Sequence, residues 1–222
     1  MLLYHHDISV ASRKIRLALA EKGLDFNMRM EKTWELNPEF LSLNPAGDVP
    51  VLVVKTGDAI CGGQVIAEYL DEVFPSAPLI HGSSEHRAEI RRLCAWFDRK
   101  MAREVMRGIV GERLTKILCN RGNPDYRAIK AGRLRLKDHM LYMAWLLERR
   151  HWLAGGDDIS LADLSAGAAL SLLDYLGEVP WEDWPEVRLW YGRLKSRPCF
   201  RGLLADRIVG FAPASGYADL DF

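Results

Sequence analysis

The 222-residue chain lacks any apolar run approaching the roughly 20 residues needed to span a bilayer. It also lacks a charged segment leading into an apolar one of the kind that directs secretion. A soluble, cytoplasmic protein without a membrane partner is therefore expected. Net charge is missing too: 30 Lys and Arg balance 30 Asp and Glu, which argues against a general binder of nucleic acid or of membrane surfaces. Cysteine is sparse. Cys61, Cys94, Cys119 and Cys199 lie far apart with no CxxC or Cys/His spacing, so neither a metal site nor a disulfide framework is expected. Buried free thiols are the simplest reading. No internal repeat is present, a period of about 34 residues included.

The last absence is local. The stretch "ICGGQVIAEYL" (Ile60 to Leu70) reads as a helix entered from a strand, with Val65, Ile66, Tyr69 and Leu70 as its apolar stripe. Helix starts usually carry Ser, Thr, Asp or Asn as a cap, and their free N–H groups make an anion site. Here Gly62 and Gly63 keep the backbone donors and supply no side chain.

What is present is enough apolar material, 49%, for one large core or two moderate ones. Residues 1–76 alternate strand and helix. "MLLYHH", "LDFNMRM", "VPVLVVK" and "DAICG" read as strands, and "KTGD" is a hairpin turn. "SRKIRLALAEKG", with Ile15, Leu17, Leu19 and Ala20 on one face, and "NPEFLSLNP" read as helices. The order implies a mixed four-stranded sheet with helices on both faces. Residues 77–85, rich in Pro, Ser and Gly, read as a linker. From there to residue 208 the patterns are helical, and 209–222 form a tail without periodicity.

This organisation, an α/β half followed by an all-helical half, resembles the cytosolic glutathione S-transferase superfamily, with its thioredoxin-like first domain. Three motifs carry the resemblance. "GDVPVL" is similar to the family's Gly-x-Val-Pro-x-Leu, in which the Val-Pro bond is cis; the resemblance implies a cis Val49-Pro50 bond and a Val49 main chain that pairs with glutathione. A proline at the start of an edge strand is the plainer reading. "SLAD" (Ser160 to Asp163) resembles the family's N-capping box, with Ile159 placed to staple onto Leu164. "SVASRKIRL" is similar to the segment whose first Ser or Cys contacts the glutathione sulfur. By position that role falls on Ser9, with Ser12 as rival, and either one also suits a simple helix cap.

In glutathione-using members the third of these helices opens with an acidic residue and Ser, which hold the γ-glutamyl end. Aligned on Ile66, those positions are Gly62 and Gly63. Charge-assisted hydrogen bonds contribute about 1.5–3 kcal/mol each. The expectation is a vestigial site and no cofactor in use, glutathione being the alternative.

Function then belongs to another surface. Between residues 86 and 137, fifteen basic residues face five acidic ones. Arg113 with Lys116, and Arg133 with Lys137, are spaced to share helix faces. A solvated face balanced by acids elsewhere is the bland alternative. Trp34 sits in a loop beside the old site, either as an exposed interface anchor or folded between the domains. The tail adds Tyr217, Asp219 and Asp221, a peptide suited to a partner, to its own positive helices, or to fraying.

Together these features resemble a non-enzymatic branch of the superfamily, alphaproteobacterial cell-division proteins that bind filaments of tubulin-like FtsZ as homodimers. The resemblance implies partners of that kind and no nucleic acid. The alternative is a glutathione-dependent transferase, etherase or dehalogenase-like enzyme acting on apolar electrophiles, with Ser9 as its catalytic residue and a cleft near Trp34, Met106 and Arg107. A ligand-binding stress protein is a third possibility.

Overall fold

The computed structural model describes residues 1–220. Its sheet has the strand order β2-β1-β3-β4, with β1 Leu2–His5, β2 Asn27–Met30, β3 Val51–Val53 and β4 Ala59–Cys61. β1 and β2 are parallel, whereas β3 is antiparallel to both β1 and β4. The parallel pair needs a crossover, which α1 (Val10–Glu21) provides; the β3–β4 pair needs only the turn at Gly57. Alternation along the strands separates two faces. Leu3 and Leu52 join α1 and α3 (Gly63–Val73) in the main core, while Tyr4 and Val51 pack with Phe40 of α2 (Pro38–Leu43) on the other side.

Two expected stripes are rotated. On α1 every residue from Ser12 to Leu19 is buried and Ala20 is exposed, because the helix is covered by the sheet on one side and by the helical half on the other. On α3 the core takes Ile66, Ala67 and Leu70, which leaves Val65 58% exposed. The proline-rich linker is pinned: the Asp71 carboxylate accepts from the N–H groups of Leu79 and Ile80 and pairs with Lys22.

The second half is built on α4 (84–118), α5 (Tyr126–Leu147), α6 (Leu161–Tyr175), α7 (Pro185–Lys195) and α8 (Arg201–Leu204). α4 widens into π turns at Trp96–Met106 and Gly111–Thr115. α4 and α5 approach closely where both are glycine. A Cβ on Gly108 would stand 2.7 Å from the Ala128 carbonyl, and one on Gly132 would stand 2.9 Å from Ile109. α6 is buried along its whole length, so its Ala, Gly and Ser residues are packing positions. At its start the buried Asp163 accepts from Ser160 N–H, Ser160 O–H, Leu153 N–H and Trp190 Nε1–H. Ile159 and Leu164 share the same core.

The tail corrects one expectation. Tyr217 is 1% exposed; its hydroxyl donates to the Leu203 carbonyl and accepts from Arg13, and its ring packs edge-on against Tyr175. It holds the chain end to the core and is not available to a partner. Asp219 is exposed, and Asp221 lies outside the described residues.

Candidate functional site: an uncapped helix start and a basic surface

The loop after β1 brings Ser9 to the start of α1, where its hydroxyl accepts from Ser12 N–H at 3.2 Å. The same oxygen donates to the Val49 carbonyl at 3.4 Å. Ser9 therefore caps the helix, and its proton points at the backbone that precedes Pro50. The Val49–Pro50 peptide bond is cis. Ser12 is buried and accepts from His6 N–H.

Across from Ser9, Gly62 donates its N–H to the Pro50 carbonyl and opens α3 with φ 90 and ψ 135. That backbone is strained for any residue with a Cβ, at a cost of about 1–3 kcal/mol. The glycine at this position thus removes strain as well as a side chain. A Cβ on Gly63 would meet that of Ala11 at 3.3 Å, so a serine there enters a tight contact. No side chain caps α3. Beside its first turn the buried Lys14 donates to Gln64 at 3.0 Å and pairs with Asp98 of α4 at 2.6 Å. That cation is already neutralised.

Trp34 is half-buried and packs on His6 with ring centroids 5.0 Å apart. Burial lowers the His6 pKa, which keeps the imidazole neutral, and its Nδ1 accepts from Ile8 N–H. Both rings line a cleft of about 390 Å³ between the halves, with Lys32, Arg207 and Val209. Met106 is buried in the core and Arg107 is exposed; neither lines that cleft.

The basic residues are more heavily paired than their count suggests. Arg113 of α4 and Arg133 of α5 converge on Glu178, whose carboxylate is 2% exposed. Burial alone would raise the Glu178 pKa, but the hydrogen bonds from Arg133 and Arg113 hold it below the ordinary value. These two arginines are therefore structural as well as superficial, and reversing either charge would strand a buried carboxylate. Lys116 pairs with Glu112 one turn away. Lys137 is exposed with no ion pair among the described residues. Arg91 and Arg92 are held by Glu68 and Glu89.

The residues that sequence reasoning passed over are those joining the halves. Arg13 is fully buried and donates to the Asp7 carbonyl and Ser171 while pairing with Asp206 at 3.2 Å. Arg16 makes a two-pronged bond to the same Asp206 at 2.8 and 2.7 Å. The basic run "SRKIR" was the available signal; nothing in the sequence marked Asp206 or Glu178 as its acids.

Residues 8–73 match the family model described as the glutathione S-transferase N-terminal domain. FtsZ-localized protein A of Caulobacter vibrioides is 47% identical over 99% of this chain and 97% of its own length. The chain belongs to the glutathione S-transferase superfamily. Among solved structures, a glutathione S-transferase from Rhodospirillum rubrum F11 is 51% identical, with a TM-score of 0.96, over 100% of this chain and 99% of that one. FzlA from C. crescentus superposes with a TM-score of 0.96 at 47% identity, over 100% and 99% of the two chains. In this fold Ser9 bonds the Val49 carbonyl and Gly62 bonds the Pro50 carbonyl, so the two helix starts meet across the cis bond, and no side chain stands on Gly62 or Gly63.

Proposed function

We propose that this chain is a non-catalytic, homodimeric cytoplasmic protein that binds FtsZ filaments in bacterial cell division. The observation that carries this reading is full-length similarity to FtsZ-localized protein A. The glycines at 62 and 63 support the non-catalytic part: two lost contacts of about 1.5–3 kcal/mol each weaken glutathione 100-fold or more. The exposed Lys137 and Asp219 and the half-buried Lys116, with Trp34 lining the cleft, are the candidate contacts to the filament. Two copies related by a two-fold axis present these contacts twice, which lets one dimer touch two filament subunits.

Co-sedimentation with GTP-assembled FtsZ tests the reading. The protein is expected in the pellet with polymer and in the supernatant without it, and light scattering is expected to give twice the chain mass. Absence from the pellet at saturating polymer would sink the proposal. Calorimetry with millimolar glutathione is expected to show little heat. Tight binding that Ser9→Ala abolishes would instead turn the reading to a glutathione-dependent enzyme.

A further inference from the structure

A groove of about 300 Å³ opens between α5 and the segment leaving α6. Leu136 and Met140 of α5 and Val179, Pro180 and Trp184 of the following segment give it an apolar floor. At the low end of the roughly 300–1,000 Å³ typical of ligand pockets, it suits one bulky side chain better than a cofactor. Its rim is charged. Arg133, Lys137 and Glu178 line it, and Arg113 reaches Glu178 from α4, so two arginines meet one carboxylate. With Glu178 already held by the two arginines, Lys137 faces solvent as an uncompensated charge.

A separate observation concerns Trp184, which lines the groove and whose Nε1–H is buried without an acceptor. Trp184 therefore offers the groove its ring and not its N–H. Positive excess at the rim and an apolar floor together specify an occupant. We infer that this groove docks an acidic peptide segment of a partner protein, carrying one bulky apolar side chain. The apolar side chain sits on the floor between Met140 and Val179. A flanking carboxylate faces Lys137 and Arg133, and the peptide covers the Trp184 ring. The anchor supplies most of the affinity, and the charges set orientation and encounter rate. The inference rests on the filament-binding reading only for the partner being a protein.

The test uses a fluorescein-labelled peptide of aspartates around a single phenylalanine, titrated by polarisation, beside ¹⁵N-edited spectra of the full chain. Lys137→Glu is expected to weaken binding at least about tenfold. Arg135→Glu, on the same helix but outside the groove, should change it little. Replacing the peptide's phenylalanine by alanine should remove binding. The Trp184 indole resonance, identified by its loss in Trp184→Phe, should shift as peptide covers the ring. An unmoved Trp184 resonance, equal affinity in Lys137→Glu, or equal binding of a lysine-for-aspartate peptide overturns the assignment. So does a Trp184 shift that tracks protein concentration without peptide, which would make the occupant a second copy. Native protein that co-sediments with FtsZ yet takes no peptide overturns the groove alone. Peptide binding without co-sedimentation supports the groove and removes the filament as its partner.

Discussion

Two helix starts in this molecule, those of α3 and α6, do opposite things with the same set of free N–H groups. At α6 the carboxylate of Asp163 is buried and accepts from four donors, two of them on Ser160 and the others on Leu153 and Trp190. At α3 the cap is Gly62, no side chain answers the free N–H groups, and the backbone lies at φ 90. A helix start becomes a structural joint when an internal acid seals it, and an anion site when it is left open beside cations and fitted side chains. The start of α3 carries no capping side chain, and its neighbour Lys14 is bound to Asp98. One start is left uncapped at a glycine that tolerates its positive φ, and the other is sealed by a buried acid.

The comparison is broken most directly at Asp163. Asp163→Ala strips acceptors from three buried N–H groups and should cost about 3–5 kcal/mol, read as a fall in the urea midpoint. A loss under about 1 kcal/mol would show that the joint is not structural. Next in size is Gly62→Ala, for which the positive φ predicts a loss of about 1–3 kcal/mol. Gly63→Ala meets only the 3.3 Å contact with Ala11 and should cost less; equal melting-temperature losses at the two glycines would contradict the strain argument. The double variant Gly62→Glu/Gly63→Ser should gain heat of glutathione binding and lose thermal stability together. Ser9→Ala removes a cap and should cost about 1 kcal/mol without altering co-sedimentation with FtsZ.

The smallest effect is a slope. Because its arginines hold Glu178 below the ordinary value of 4.5, its contribution is complete above that value and lost as pH falls through the lowered one. Glu178→Gln should therefore flatten the acid limb of stability against pH. An unchanged limb would mean that the Arg113–Glu178–Arg133 cluster adds nothing to folding.

Much of this architecture was legible. Strand and helix order followed from apolar periods and from the punctuation of Gly and Pro, and the "SLAD" box from four adjacent residues. The glycines at 62 and 63 were visible as an absence. What the sequence misled on were the faces of α1 and α3: α1 is covered from two sides, which a single-stripe argument cannot show, and the one buried stripe of α3 runs through Ile66, Ala67 and Leu70 and leaves Val65 outside. Tyr217 was misjudged because an aromatic among acids near a chain end gives no sign of the Arg13 it meets 204 residues away in sequence.

The sequence by itself determined the elements, their order and the helix caps, because those depend on interactions among residues within a turn or two of each other. Only the tertiary structure decided which acid meets which base. Glu178 lies 65 positions from Arg113 and 45 from Arg133, and Asp206 lies 190 from Arg16. Composition shows ten surplus positive charges between residues 86 and 137. How many of them remain for a partner is settled by packing, which brings Gly108 and Gly132 together and so sets two arginines against one buried carboxylate, leaving Lys137 at the rim of an empty groove.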